Sequence, residues 1–184
     1  QTCALPICES FENIIQAINA ANYKPGIDVF LALDCASSEF YNEETKLYEI
    51  EKDLFLNSDS LIKYYGDLID EFPMLKSIED GFHEKDYDAW KKFTNLYGDR
   101  IMIVGDDLFT TNSKLIKFGL ENKLANSLLL KVNQIGTISE AIESAKLFDS
   151  KNVIVSHRSG ETNHAYIIDI AKGIGAKYVK IGSP

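Results

Sequence analysis

The chain has 184 residues, is 45% hydrophobic and carries 10 Phe, 9 Tyr and one Trp, enough apolar material for one domain with a substantial core. Its formal charge of −9, from 19 basic and 28 acidic residues, argues against a nucleic-acid backbone binder or a polybasic membrane binder, although a small anionic ligand remains open. No apolar run approaches the roughly 20 residues of a spanning helix, no secretory signal is recognisable, and Cys3, Cys8 and Cys35 lack metal-site or redox spacing, so the reducing cytoplasm is the expected compartment.

The first seven residues, QTCALPI, resemble the translation of a sequencing-library adapter; positions 1–7 read as a non-native leader and 8–184 as the native segment. SFENIIQAINAA (10–21) places Phe11, Ile14, Ile15 and Ile18 at helical spacing. DVFLALD (28–34) is the first strand-like run, and EFYNEETKLYEIEKDLF (39–55) reads as a hairpin or loop insertion. SDSLIKYYGDLIDEF (58–72) gathers Leu61, Ile62, Tyr65, Leu68 and Ile69 on one helical face and stops at Pro73. Strand-like MLKSIED (74–80) precedes helical DYDAWKKFTNLYG (86–98), which groups Trp90, Phe93 and Tyr97 and ends at Gly98. IMIVGDD (101–107) and SLLLKVN (127–133) are further strands, and TISEAIESAKLF (137–148) opens with Thr137 and Glu140 at capping-box spacing. NVIVSH (152–157), a helix through AYIIDIA (165–171) and KYVKIG (177–182) complete the series.

Strand followed by helix, repeated, implies parallel strands joined by crossovers. Each strand also ends in a polar or ionisable residue: Asp34, Glu79, Asp106, Lys131, His157 and Lys180. From Glu79 onward these recur about every 25 residues, the length of one βα unit. The expected fold class is therefore α/β, a partial TIM-type β/α barrel of about six strands, whose active face lies at the strand C-termini. A doubly wound open sheet would give a similar pattern. A complete barrel takes about 250 residues, so this chain reads as a segment of one.

Three carboxylates converging from neighbouring strands, Asp34, Glu79 and Asp106, suit a hard divalent cation such as Mg²⁺, Mn²⁺ or Ca²⁺. Solvated or helix-capping acids are the plainer reading of any one of them. In SHRSGET (156–162), Arg158 offers a fork for an oxyanion, Gly160 permits close backbone approach, and a helix N-terminus follows. Lys131 stands in the apolar run LLLKVNQIG (128–136), where a lysine either reaches water or gives up its proton. His157 alone reads as a hydrogen-bonded strand-end residue, His83 and His164 belong to no motif, and Trp90 reads as a core anchor. Lys24, Lys91, Lys92 and Lys117 read as surface residues.

LDCASSEFY (33–41), SIED (77–80), GDDLFTTN (105–112), LLLKVNQIGTISEAI (128–142), VSHRSGET (155–162) and KIGSP (180–184) strongly resemble the enolase, or phosphopyruvate hydratase, family. The order and spacing match from about Ser10 to the end, and KVNQIGT with SHRSGET is the most specific part. The resemblance implies the C-terminal barrel domain of a Mg²⁺-dependent lyase that interconverts 2-phospho-D-glycerate and phosphoenolpyruvate in glycolysis. It implies Asp34, Glu79 and Asp106 as Mg²⁺ ligands, with Asp107 in support, and Lys131 as the general base. Glu79, Asp106, His157, Arg158, Ser159 and Lys180 are implied to contact substrate, with Arg158 and Ser159 at the phosphate and Lys180 near the carboxylate. The implied partner is this small molecule, and the parent protein is expected to be a homodimer.

Two departures stand out: Gly81 follows SIED where the family usually has proline, and KIGSP replaces the more usual KTGAP. Gly81 is expected to loosen the loop beside Glu79. The family's N-terminal domain, early strands and acid-supplying glutamate have no counterpart here, so the isolated chain is expected to form no phosphoenolpyruvate. The alternative is a non-catalytic fragment or acidic binding module.

Overall fold

A strand such as Ser127–Leu130, buried at every position, needs cover on both faces, and amphipathic helices following the strands supply it on one of them. The computed structural model describes residues 7–158 and 164–182. The expected leader, 1–7, therefore lies almost wholly outside the described residues, as do Ser159 and positions 160–163 of SHRSGET and its continuation.

Helix α1 (Ile7–Ala20) leads into strand β1 (Leu31–Asp34). A flap follows, made of β2 (Tyr41–Asn42), β3 (Leu47–Glu51) and β4 (Leu54–Leu56). Where a hairpin or loop was expected, these form a three-stranded antiparallel sheet. The chain continues through α2 (Ser58–Glu71), β5 (Leu75–Glu79), α3 (Tyr87–Tyr97), β6 (Met102–Gly105), α4 (Ser113–Asn122) and β7 (Ser127–Leu130). It ends with α5 (Val132–Ile135), α6 (Ile138–Ala145), β8 (Val153–Ser156), α7 (Tyr166–Ile174) and β9 (Tyr178–Lys180).

Helix boundaries follow side-chain chemistry. Asn57, Asp86, Asn112 and Thr137 cap α2, α3, α4 and α6 by accepting from backbone N–H groups in the first turn. Helix α2 stops just short of Pro73, since the residue before a proline is driven out of the helical region. Gly175 ends α7 with φ +70°, a conformation cheap for glycine.

The six-stranded sheet runs in the order β1-β5-β6-β7-β8-β9, with every pairing parallel. A doubly wound sheet reverses direction at a switch point; this one never does. Five inter-strand steps of about 4.8 Å would hold β1 and β9 about 24 Å apart in a flat sheet. Yet Lys180 Nζ at the tip of β9 lies 2.6 Å from Asp34 Oδ2 at the tip of β1. The sheet is therefore curled into a half-barrel of the TIM type, with the helices around it.

Its core is strongly aromatic. Trp90, Tyr48, Tyr65, Phe82, Phe93 and Phe109 are fully buried, and the Trp90 indole donates to the His83 carbonyl at 3.1 Å. Among the described residues, no helix is long and apolar enough to cross a membrane.

Candidate functional site

Parallel strands in unbroken order bring their C-terminal ends to one rim. Asp34 pairs with Glu79 in register, and Ser156 pairs with Lys180, so the first and last edges present charged groups at the same level. The expected strand SLLLKVN is shorter than its apolar run suggests. Strand β7 stops at Leu130, and Lys131 is the extended residue that caps the short helix α5. The lysine thus sits at a strand tip, and its ammonium reaches over the rim.

Two lysines organise the acids. Lys180 Nζ donates to Asp34 Oδ2 at 2.6 Å and Glu79 Oε1 at 2.8 Å. Lys131 Nζ donates to Asp106 Oδ2. Burial pushes the Glu79 carboxyl up to about 7, with Asp34 and Asp106 adding like-charge repulsion and Lys180 opposing. Burial alone would lower the Lys180 ammonium, but its bonds to Asp34 and Glu79 outweigh that and raise it. The rim is an acid cluster held together by ammonium groups.

Asp80, to which sequence reasoning gave no role, ties two of the strand ends together. Its backbone turns into the left-handed region at φ +43°, uncommon for a non-glycine residue. The side chain then accepts the N–H groups of Asp106 and Asp107, each at 2.9 Å. Asp80, Asp106 and Asp107 each offer an oxygen within 4.8 Å of the others, so this trio could also hold a metal ion. Two are buried and Asp107 is exposed. Of the expected ligand set, Asp106 belongs to this trio, while Asp34 and Glu79 meet at Lys180.

Thr111 and Gln134 also had no assigned role. The buried Thr111 hydroxyl accepts from Lys131 N at 3.0 Å and donates to Gln134 Oε1 at 2.9 Å, and Gln134 Nε2 donates to Asp106 Oδ1 at 3.2 Å. The only signal was their presence within TTN and VNQ of the motifs already quoted.

His157 lies at the end of β8, beside the last strand. Its N–H donates to the Lys180 carbonyl at 3.2 Å, and its Nδ1 accepts from Gly182 N at 3.2 Å. Arg158 is exposed, and Ser159 lies outside the described residues. Gly81 is buried: a side-chain carbon there would come within 3.2 Å of Ile78 and 3.4 Å of Tyr65. The loosening expected at Gly81 meets anchors on both sides, through the Asp80 carboxylate and through His83 N, which donates to the Tyr48 hydroxyl at 3.1 Å. His83, without a motif, proves to be a buried residue whose Nδ1 accepts from Lys85 N.

The concave side of the sheet opens into a cavity of about 870 Å³ whose lining includes Asp34, Glu79 and Lys180. Oxygen-only donors crowded beside a buried carboxylate are a setting that a hard divalent cation fits. A family model described as "Enolase, C-terminal TIM barrel domain" matches residues 7–184. With its sequential parallel half-barrel and acids gathered at the strand tips, this chain belongs to the enolase C-terminal barrel domain family.

Proposed function

We propose that this chain carries the base and metal-binding groups of a phosphopyruvate hydratase, which converts 2-phospho-D-glycerate reversibly to phosphoenolpyruvate. The observation that carries the reading is the convergence of Lys131, Lys180 and the acids Asp34, Glu79 and Asp106 on one rim. Asp34, Glu79 and Asp106 would hold Mg²⁺, with Asp80 and Asp107 beside them. When bound, the ion supplies Lewis-acid stabilisation of negative charge building on the substrate carboxylate.

The difficult event is removal of the proton at substrate C2, next to a carboxylate. Lys131 is the group for it: an amine held at a fixed place by its backbone bond to Thr111 and its side-chain bond to Asp106. A lysine base working beside magnesium is the general chemistry of the enolase superfamily, and the bond of Lys131 to Asp106 supports that reading here. Lys180 contributes a fixed positive charge for an anionic group of the substrate. Arg158, whose guanidinium is exposed, would receive the phosphate with Ser159, and His157 would line the same side. The small-molecule substrate is the expected partner, and a homodimeric parent in the cytoplasm fits the family.

The test is Lys131→Ala in a full-length homologue, followed by NMR of C2 proton exchange in deuterated water. Exchange should vanish while Mg²⁺ binding, read by calorimetry, persists. Exchange at the parental rate would remove Lys131 from the role of base.

A further inference from the structure

Lys180 sits where a cation shared by Asp34 and Glu79 would sit. Its Nζ lies 2.6 Å from one carboxylate and 2.8 Å from the other. Asp34 and Glu79 are two of the carboxylates that would hold the magnesium ion, so an ion held there would meet the ammonium that they share. Two cations that close repel, so ammonium and metal compete for one seat.

The two rim lysines differ in their freedom to leave. The Lys180 side chain is 41% exposed, whereas that of Lys131 is 17% exposed. Lys180 ends a three-residue edge strand paired on one side only, with β8. Lys131 is fixed at its backbone by Thr111 and at its ammonium by Asp106. Lys180 therefore has the more open route into water of the two. Glu79 is buried, and the ammonium it meets on the rim is that of Lys180, 2.8 Å from its Oε1.

We propose that Lys180 is a resident counter-cation exchanged for the divalent ion: its ammonium clamps Asp34 to Glu79 until the ion enters, then swings toward the cavity while Lys131 stays in place. This rests on the reading that these carboxylates take a metal. Exchange has two consequences. Lys180 lowers the apparent metal affinity, and metal entry releases an ammonium at the cavity mouth to meet an anionic group of the substrate.

The exchange is testable on the 184-residue chain with Mg²⁺ alone. Lysines are acetylated briefly with and without saturating Mg²⁺, and the modification of each is read by peptide mass spectrometry. Lys180 should be modified several-fold faster with the ion, Lys131 should remain protected, and exposed Lys117 should be unchanged as the internal standard. In parallel, calorimetry should show Lys180→Met binding Mg²⁺ more tightly, on the order of fivefold, the scale of a partly exposed ion pair. A lysine that stayed beside the ion would also weaken binding, so the labelling result separates exchange from simple repulsion. Measurable Mg²⁺ binding with Lys180 labelling unchanged or reduced overturns the exchange and leaves the metal reading intact. Absence of Mg²⁺ binding to both chains overturns the metal reading and the exchange with it. If Lys180→Met fails to fold, labelling of the unmodified chain decides the question.

Discussion

Lys131 and Gln134, one helical turn apart at the start of α5, hold opposite oxygens of the same carboxylate, Asp106. Thr111, in the same β6–α4 loop as Asp106, closes the ring by accepting from the Lys131 backbone and donating to the Gln134 amide oxygen. The result fixes the direction of an acid and an amine together. Thr111→Val keeps the volume but removes both bonds, leaving a buried N–H and a carbonyl oxygen without that partner. The expected loss is about 1–3 kcal/mol of unfolding free energy, measured by urea denaturation. A valine variant as stable as the parent would show that the ring contributes nothing to the fold.

Asp80 should give the fold a pH dependence of unusual sign. Burial pushes its carboxyl up to about 7, outweighing the two N–H groups that favour the charged form, and Asp106 and Asp107 push in the same direction. In the unfolded chain the same carboxyl titrates near pH 4, at about its ordinary value. Between those values the folded chain keeps a proton that the unfolded chain has lost, so this contribution to stability falls as pH rises from about 4 to 7. Asp80→Asn cannot titrate and isolates the effect. The stability difference, parent minus variant, should shrink by about 2–4 kcal/mol across that window in urea titrations. A difference that grew with pH would reverse the sign.

The thiols offer a simpler contrast. Cys35 follows the strand-end Asp34, and although part of the residue is open, burial pushes its thiol up to about 12, beyond what a hydrogen bond to Tyr65 offsets. At pH 8 only about one such group in ten thousand is thiolate. Of the two described cysteines, iodoacetamide should therefore modify Cys8 before Cys35, with Cys35 following only in urea. Peptide mass spectrometry gives both rates, and equal labelling of the native chain would contradict the burial argument.

The strand tips were legible because a charged residue in an apolar run can satisfy itself only at an end, and the repeat length then separated the βα units. Their convergence required the sheet order, which the sequence left shared between a barrel and a doubly wound sheet. Helix α4 went unnamed because its apolar residues fall on two faces: Ile116 is buried, whereas Leu115 and Phe118 are exposed. Asp80 was missed for a different reason. Its work depends on a left-handed turn that sends the carboxylate sideways to the amides of the next strand end, and a reading of one strand at a time does not contain that neighbour. The lysine–acid pairs share this limitation, since Lys180 and Asp34 lie at opposite ends of the chain and meet only when the sheet curls.

Two helical glycines separate backbone propensity from packing. Replacing a helix-interior glycine by alanine ordinarily stabilises by about 1 kcal/mol. At Gly119 in α4, the new carbon would lie 2.3 Å and 2.9 Å from ring atoms of Phe109. That ring is fully buried and has nowhere to retreat, so overpacking should win, and Gly119→Ala should lose about 1–3 kcal/mol. Gly66 in α2 looks worse on distance alone, with the Tyr97 hydroxyl oxygen at 2.0 Å. Tyr97, however, is only partly buried, and the clash falls on the far end of its side chain, which can turn toward solvent. Gly66→Ala should therefore cost less than Gly119→Ala in parallel urea titrations. The reverse order would mean that the Phe109 ring yields more readily than Tyr97, and that the core beneath α4 is softer than its burial implies.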